Sequence, residues 1–298
     1  MARVKILLTG ASGQLGKALM AQIGSGDLPA GTHHLLPVDL PEWDITNQAQ
    51  VFSTVLEWQP DVVINCAGYT DVDRAEANEK EAFRVNALGA RDLSAVAFRV
   101  GAKMLQISTD YVFDGKAATP RREYHPVNPV NAYGRSKAWG ERLVRETNPC
   151  HFILRTAWLF GEGQNFVRKI IALSREKEEI SVVADQFGTP TSAVDLARCI
   201  LHLLQTESYG TYHATNEGEC SWFSFARGIL ALTGIECRVK PVTSRELARP
   251  APRPHYTVLE NYMLELSGLF RFRHWEEALA EYLQAEAGTR AQERKARL

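Results

Sequence analysis

Short apolar runs that alternate with helical patterns constrain this chain more than any other feature of its sequence. Val4-Lys5-Ile6-Leu7-Leu8-Thr9 is β-rich and ended by Gly10, and from Gly13 onward Leu15, Leu19 and Ile23 recur on one side of a helix. Residues 61–66, flanked by Pro60 and Gly68, are too few for a helix and carry the continuous apolar run Val62-Val63-Ile64, as expected of a strand buried on both faces of a parallel sheet. Further strands are predicted at 34–38, 103–108 and 151–155, with Pro37 removing one ladder donor from the first of them. Helical stretches over 75–100 and 131–147 separate the later runs. The alternation predicts an α/β fold, a doubly wound parallel sheet with right-handed crossovers.

Beyond Gly161 the pattern loosens. Helices are predicted over 165–177, 192–204, 221–232 and 275–285, and a short strand at 180–183, with Pro241, Pro250, Pro252 and Pro254 breaking up the stretch between. The polar, charged residues 288–298 read as a frayed, flexible tail.

Composition excludes several function classes. With 45% hydrophobic residues the chain is not disordered. Its 34 Lys+Arg and 35 Asp+Glu are scattered, so nothing marks a nucleic-acid or anionic-membrane surface. No apolar run reaches the roughly 18 residues of a spanning helix, and residues 1–8 lead into a strand rather than a signal peptide, so a cytoplasmic location is expected. Cys66, Cys150, Cys199, Cys220 and Cys237 never form a C-x-x-C pair, and the eight histidines include no H-E-x-x-H, so no metal site is expected.

Four local patterns carry chemistry. Gly10-Ala11-Ser12-Gly13-Gln14-Leu15-Gly16 joins the first strand to the first helix, where glycines let backbone amides approach a pyrophosphate at the positive helix end. Asp39, at the end of the second strand, is placed to accept hydrogen bonds from the adenosine ribose hydroxyls of a dinucleotide. Tyr133 and Lys137 lie four apart in a predicted helix and so share one face. A phenol, with a free pKa of about 10, exchanges protons near neutrality only beside a stabilising cation, which Lys137 supplies. Ser108-Thr109-Asp110 follows the fourth strand at the end where open α/β sheets bind ligands, and a hydroxyl there can bond a substrate carbonyl.

Taken in order over nearly the whole chain, these elements resemble the extended short-chain dehydrogenase/reductase family. Within it, several segments are similar to the dTDP-4-dehydrorhamnose reductases: Asp44-Ile45-Thr46, Asn65-Cys66-Ala67-Gly68-Tyr69-Thr70, Ser108 through Gly115, Arg155-Thr156-Ala157-Trp158-Leu159-Phe160-Gly161 and Asp185-Gln186-Phe187-Gly188-Thr189-Pro190-Thr191. The resemblance implies a Rossmann-like dinucleotide-binding domain over 1–160. A smaller, mainly substrate-binding lobe would follow over 161–287, its elements free to interleave with the sheet. It implies NADPH or NADH as cofactor, held by Gly10, Ser12, Gly13, Gln14, Leu15, Asp39, Asp44, Ile45, Ala67, Gly68, Tyr69 and Lys137. Thr109, Tyr133 and Lys137 would be catalytic, and Thr109, Val72, Trp158, Asn165, Gln186 and Arg253 would meet a dTDP-linked 4-keto-6-deoxy sugar. A homodimer is the expected assembly. Lys17-Ala18 stand where some relatives carry an acid on the first helix, which argues against a shared metal, and Thr257 replaces the usual Ser of a late motif.

The activity so implied is reduction of the sugar's C4 ketone. Dehydratases of the family need Asp-Glu after the Thr, and here Asp110 is followed by Tyr111. An epimerase, or a non-catalytic dinucleotide-binding regulatory subunit like the β subunit of methionine adenosyltransferase, stands as the alternative.

Overall fold

In the computed structural model, which describes residues 4–25 and 33–296, the apolar runs pair into one parallel sheet. Its strands are β1 (Val4–Thr9), β2 (His33–Val38), β3 (Val62–Asn65), β4 (Lys103–Thr109), β5 (His151–Thr156) and a late strand, Gly210–His213. From one edge to the other the order is the late strand, β5, β4, β3, β1, β2, every neighbour parallel. Pro37 is tolerated because β2 is an outer strand. Strand order reverses between β1 and β3, which opens a crevice beyond their carboxyl ends.

Strand side chains alternate between two apolar layers. Ile6, Leu8, Val62, Ile64, Leu105, Phe152 and Leu154 face α1 (Gln14–Ser25), while Leu7, Val63, Met104 and Ile153 face α2 (Gln48–Trp58) on the opposite side. Both faces are therefore dry, the reason these runs are continuously apolar instead of alternating with polar residues.

The stretch read as helical over 75–100 is helical in four pieces. They are α3 (Val72–Ala77), α4 (Glu79–Phe83), a π-helical turn Arg84–Gly89 and α5 (Ala90–Arg99). The π turn carries the buried Asn86 side chain, which accepts from Tyr69 N at 2.9 Å and donates to Tyr69 O at 3.0 Å and Ser136 Oγ at 2.9 Å. α6 (Ala132–Thr147) lies against the same turn, where any side chain at Gly140 would collide with Asn86 O. Long-range polar satisfaction overrides the local helical period here.

The later elements are α7 (Phe166–Glu176), α8 (Ala193–Leu204), α9 (Trp222–Thr233) and a C-terminal helix, Trp275–Ala296. Leu196, Ile200 and Leu203 of α8 join the layer that buries α1, whereas α7, α9 and the C-terminal helix close a separate core around Phe160, Ile170, Phe225 and Trp275. Pro241, read as a breaker, lies within the strand Arg238–Val242, which among the described residues pairs only with Glu179–Val183 and so has one edge where a missing donor is tolerated. The C-terminal helix continues past residue 288, where fraying is expected from the sequence, because the run from Glu286 to Ala296 is rich in strong helix formers. The last two residues of that predicted tail, 297–298, lie outside the described residues. Among the described residues no helix is long and apolar enough to cross a membrane.

Candidate active site

The crevice is built backbone against backbone. Gly10 has φ +66°, and a Cβ there would sit 2.6 Å from both Ala67 N and Cys66 C, so only glycine lets the loops after β1 and β3 meet this closely. Gly13 N donates to Gly10 O at 3.1 Å and leads into α1, whose first turn holds no acid and leaves the positive helix end open to an anion. Asp39 braces the same loop, its Oδ2 accepting from Ser12 N at 2.8 Å and its Oδ1 from Leu40 N at 2.9 Å. A cleft of about 930 Å³ extends from this loop, and Lys137 is the one cation lining it among the described residues.

β4 delivers Thr109 to the cleft, and α6 delivers Tyr133 and Lys137 one turn apart. Asn131 caps α6 by accepting from Gly134 N at 2.8 Å. Lys137 is only 5% exposed and donates to Ile107 O at 3.2 Å. A Cβ on Gly68 would lie 2.8 Å from its Nζ, so glycine is what leaves room for the ammonium. Burial pulls the Lys137 ammonium down to about 8, against the opposing pull of Cys66 and Glu141. Burial pushes the Tyr133 phenol up to about 12, a hydrogen bond with Thr109 opposing and Asp110 adding to the rise. The phenol therefore rests protonated, the form from which a general acid must start. Asp110 accepts from Thr109 Oγ1 at 2.9 Å, and burial raises its carboxyl to about 6.

Further along, Trp158 takes φ +45°, a conformation rare for a bulky residue. Its indole is stacked on Trp222 with centroids 3.5 Å apart and planes 9° apart, and both rings line the cleft. Gln14 Oε1 and Thr156 Oγ1 are buried without a hydrogen-bond partner, and both residues line the cleft. Buried polar atoms are rarely left unpaired, so this set points to a polar ligand.

Residues 4–287 match the family described as the RmlD substrate binding domain. The chain belongs to this family, that of the dTDP-4-dehydrorhamnose reductases. It is 43% identical to the dTDP-4-dehydrorhamnose reductase of Streptomyces griseus over 297 residues, 96% of this chain and 95% of that one. Among solved structures, the dTDP-4-dehydrorhamnose reductase of Clostridium acetobutylicum is 47% identical, with a TM-score of 0.92 over 95% of this chain and 100% of the other. That of Bacillus anthracis strain Ames, in complex with NADP, is 42% identical with a TM-score of 0.91, covering 95% and 99%.

Most of the residues that the sequence marks for this reductase fold converge on the cleft. Gly10, Ser12, Gly13, Gln14, Leu15, Asp39, Asp44, Ile45, Ala67, Gly68, Tyr69, Val72, Thr109, Tyr133, Lys137 and Trp158 all line it. Asn165, Gln186 and Arg253 do not. Asn165 caps α7 and turns its Nδ2 to Gly161 O at 2.6 Å, Gln186 donates to Ser244 Oγ at 2.8 Å, and Arg253 pairs with Asp73 at 3.0 Å. Gln186 and Arg253 are taken up by partners distant in sequence, which local pattern does not reveal, whereas Asn165 is the cap at the start of the helix predicted over 165–177. Trp222 and Asn86 were missed in turn. An aromatic at the start of α9 reads as ordinary core packing, and an Asn inside a helical stretch carries no signal unless the π turn is seen. Among the described residues no group of three His, Cys, Asp or Glu is disposed to hold a metal ion.

Proposed function

We propose that this chain reduces the C4 ketone of dTDP-4-dehydro-L-rhamnose, or of a closely related nucleotide-linked 4-keto-6-deoxy sugar, to the alcohol. The observation that carries the reading is the convergence of Thr109, Tyr133 and Lys137 on the cleft that also holds the glycine loop and the Trp158–Trp222 wall. A nicotinamide dinucleotide fits the residues present. Its pyrophosphate suits the Gly10–Gly16 turn at the start of α1, Asp39 suits a ribose, and the unpartnered Gln14 Oε1 suits a polar donor. When bound, the reduced cofactor supplies the hydride.

The remaining work falls to side chains. Tyr133 Oη gives its proton to the carbonyl oxygen as that oxygen becomes an alkoxide. Lys137, one helical turn away, stabilises the phenolate left behind and would hold the nicotinamide ribose of a bound cofactor. Thr109 turns its O–H from Asp110 to the carbonyl and orients it. Tyr111 occupies the position where dehydration needs a second carboxylate, and it packs edge-on against Tyr133 at 5.8 Å. The reading puts the reaction in the cytoplasm, where reduced dinucleotides are supplied.

The test is to offer the purified protein dTDP-4-dehydro-L-rhamnose with NADPH and with NADH. Loss of reduced-nicotinamide absorbance, with dTDP-L-rhamnose as product, is expected. Dinucleotide binding without turnover of any 4-keto sugar nucleotide would overturn the reading in favour of a regulatory subunit.

A further inference from the structure

Directly behind Thr109 and Lys137 lies a buried ionic node that the steps above do not use. Glu141 follows Lys137 by one turn of α6 and is 1% exposed. Its Oε1 accepts from Arg155 Nε at 2.9 Å and from Ser108 Oγ, and its Oε2 from Arg155 Nη2 at 2.7 Å and Arg145 Nη1 at 3.3 Å. Arg155, 3% exposed, sits opposite Ser108 in the β4–β5 register. Its Nη1 donates to Glu123 O at 3.2 Å and lies 3.4 Å from His213 Nε2. Burial pushes His213 down to about 3, so this imidazole is neutral at any working pH.

A buried ion pair contributes little net stability, because stripping water from both charges offsets their attraction. What this one does is geometric. It ties α6 to β4 and β5 at a single point, and Ser108 is the residue next to Thr109. It also sets a fixed negative charge one turn from the Lys137 ammonium. The titratable groups acting on that ammonium are the Cys66 thiol from the loop after β3 and Glu141 from its own helix, while Gly68, Asn86 and Ile107 O are uncharged. Of these only Glu141 is a carboxylate, and the Arg155 guanidinium holds it below the usual carboxylate range against the effect of burial.

We propose that Glu141 is a positioning residue: its carboxylate fastens the Tyr133–Lys137 face of α6 to the Thr109 end of β4 and keeps the Lys137 side chain cationic. The part that concerns catalysis rests on the reductase reading, and the part that concerns Lys137 does not.

The chain has 10 lysines, few enough for ¹³Cε-lysine NMR to follow Lys137, assigned as the signal lost in Lys137→Met. The parent signal should titrate near 8. In Glu141→Gln the midpoint should fall by about one pH unit. Because that variant strands the Arg155 guanidinium, Glu141→Met/Arg155→Met is measured beside it, with apolar chains filling the same space. The double variant should keep its Tm, show a lowered midpoint, by less than in Glu141→Gln because the guanidinium is gone too, and lose at least about tenfold in kcat with KM for the sugar nucleotide unchanged. Ser108→Ala, which cuts only the tie to β4, should lower kcat and leave the midpoint in place. A folded double variant whose Lys137 titrates like the parent's overturns the proposal. The NMR midpoint needs no substrate, so a parent that reduces no sugar nucleotide defeats the reaction assigned above without deciding the role of Glu141 toward Lys137.

Discussion

Gly188→Ala is a one-carbon probe of the aromatic wall. A Cβ at Gly188 would lie 2.6 Å from Trp158 Cε2, 2.7 Å from its Nε1 and 2.8 Å from its Cζ2, about 1 Å inside ordinary non-bonded contact at roughly 3.5–4.0 Å. The Gly188 backbone is not in the left-handed region, so alanine meets no conformational penalty there and the effect is purely steric. The indole has no slack to absorb it. It is stacked on Trp222, which is itself packed on Phe166 with centroids 4.5 Å apart. Trp158 must therefore leave the stack. Overpacking of this kind costs about 1–3 kcal/mol, and a lost aromatic pair adds about 0.5–1.5 kcal/mol. Denaturant unfolding should show stability lower by about 1.5–4.5 kcal/mol. Near-UV circular dichroism should lose the signal of the coupled indoles. If the wall holds the sugar nucleotide, its KM should rise about tenfold, equivalent to about 1.4 kcal/mol of binding. NADPH affinity should be unchanged, because Gly188 does not line the cleft. A folded Gly188→Ala protein with the parent's KM and near-UV spectrum would refute this account of Trp158.

Tyr133→Phe removes only the acidic hydroxyl, so kcat should fall by about 10²–10⁴ while NADPH binding, followed by fluorescence, is retained. Lys137→Met should be comparably damaging and should also weaken NADPH binding, since charge and ribose contact go together. The active form of Lys137 is the ammonium, and burial has pulled it from its usual value to about 8, so kcat/KM should decline as pH rises through about 8; a profile flat to pH 10 counts against its role. Asp39 faces any 2′-phosphate with like charge, and no Lys or Arg lines the cleft near it among the described residues, so NADH should be used at a rate comparable with NADPH. A hundredfold preference for NADPH, about 2.7 kcal/mol, would show that another cation supplies the contact.

The sequence by itself determined what depends on neighbours in the chain. The short, continuously apolar runs of β1 and β3 specified buried strands, because a run too short for a helix and apolar on both faces suits a strand covered on both sides. The Gly10–Gly16 loop and the Tyr133–Lys137 pair were legible for the same reason, since a turn and a helical i,i+4 step are set within a few residues. Thr109 needed one step more, the rule that ligands gather at the carboxyl ends of parallel strands. Where competition between distant groups decides the outcome, local pattern is silent. Gln186 is taken up by Ser244, and Arg253 is claimed by Asp73 from α3. The 75–100 stretch is interrupted because Asn86 finds partners on Tyr69 and Ser136. Only the tertiary structure brought Trp222 onto Trp158, Gly188 against the same indole, and Ser108, Glu141 and Arg155 to one buried point. Those contacts join residues from separate elements, and whether they form depends on how strands and helices pack in space, which no local periodicity encodes.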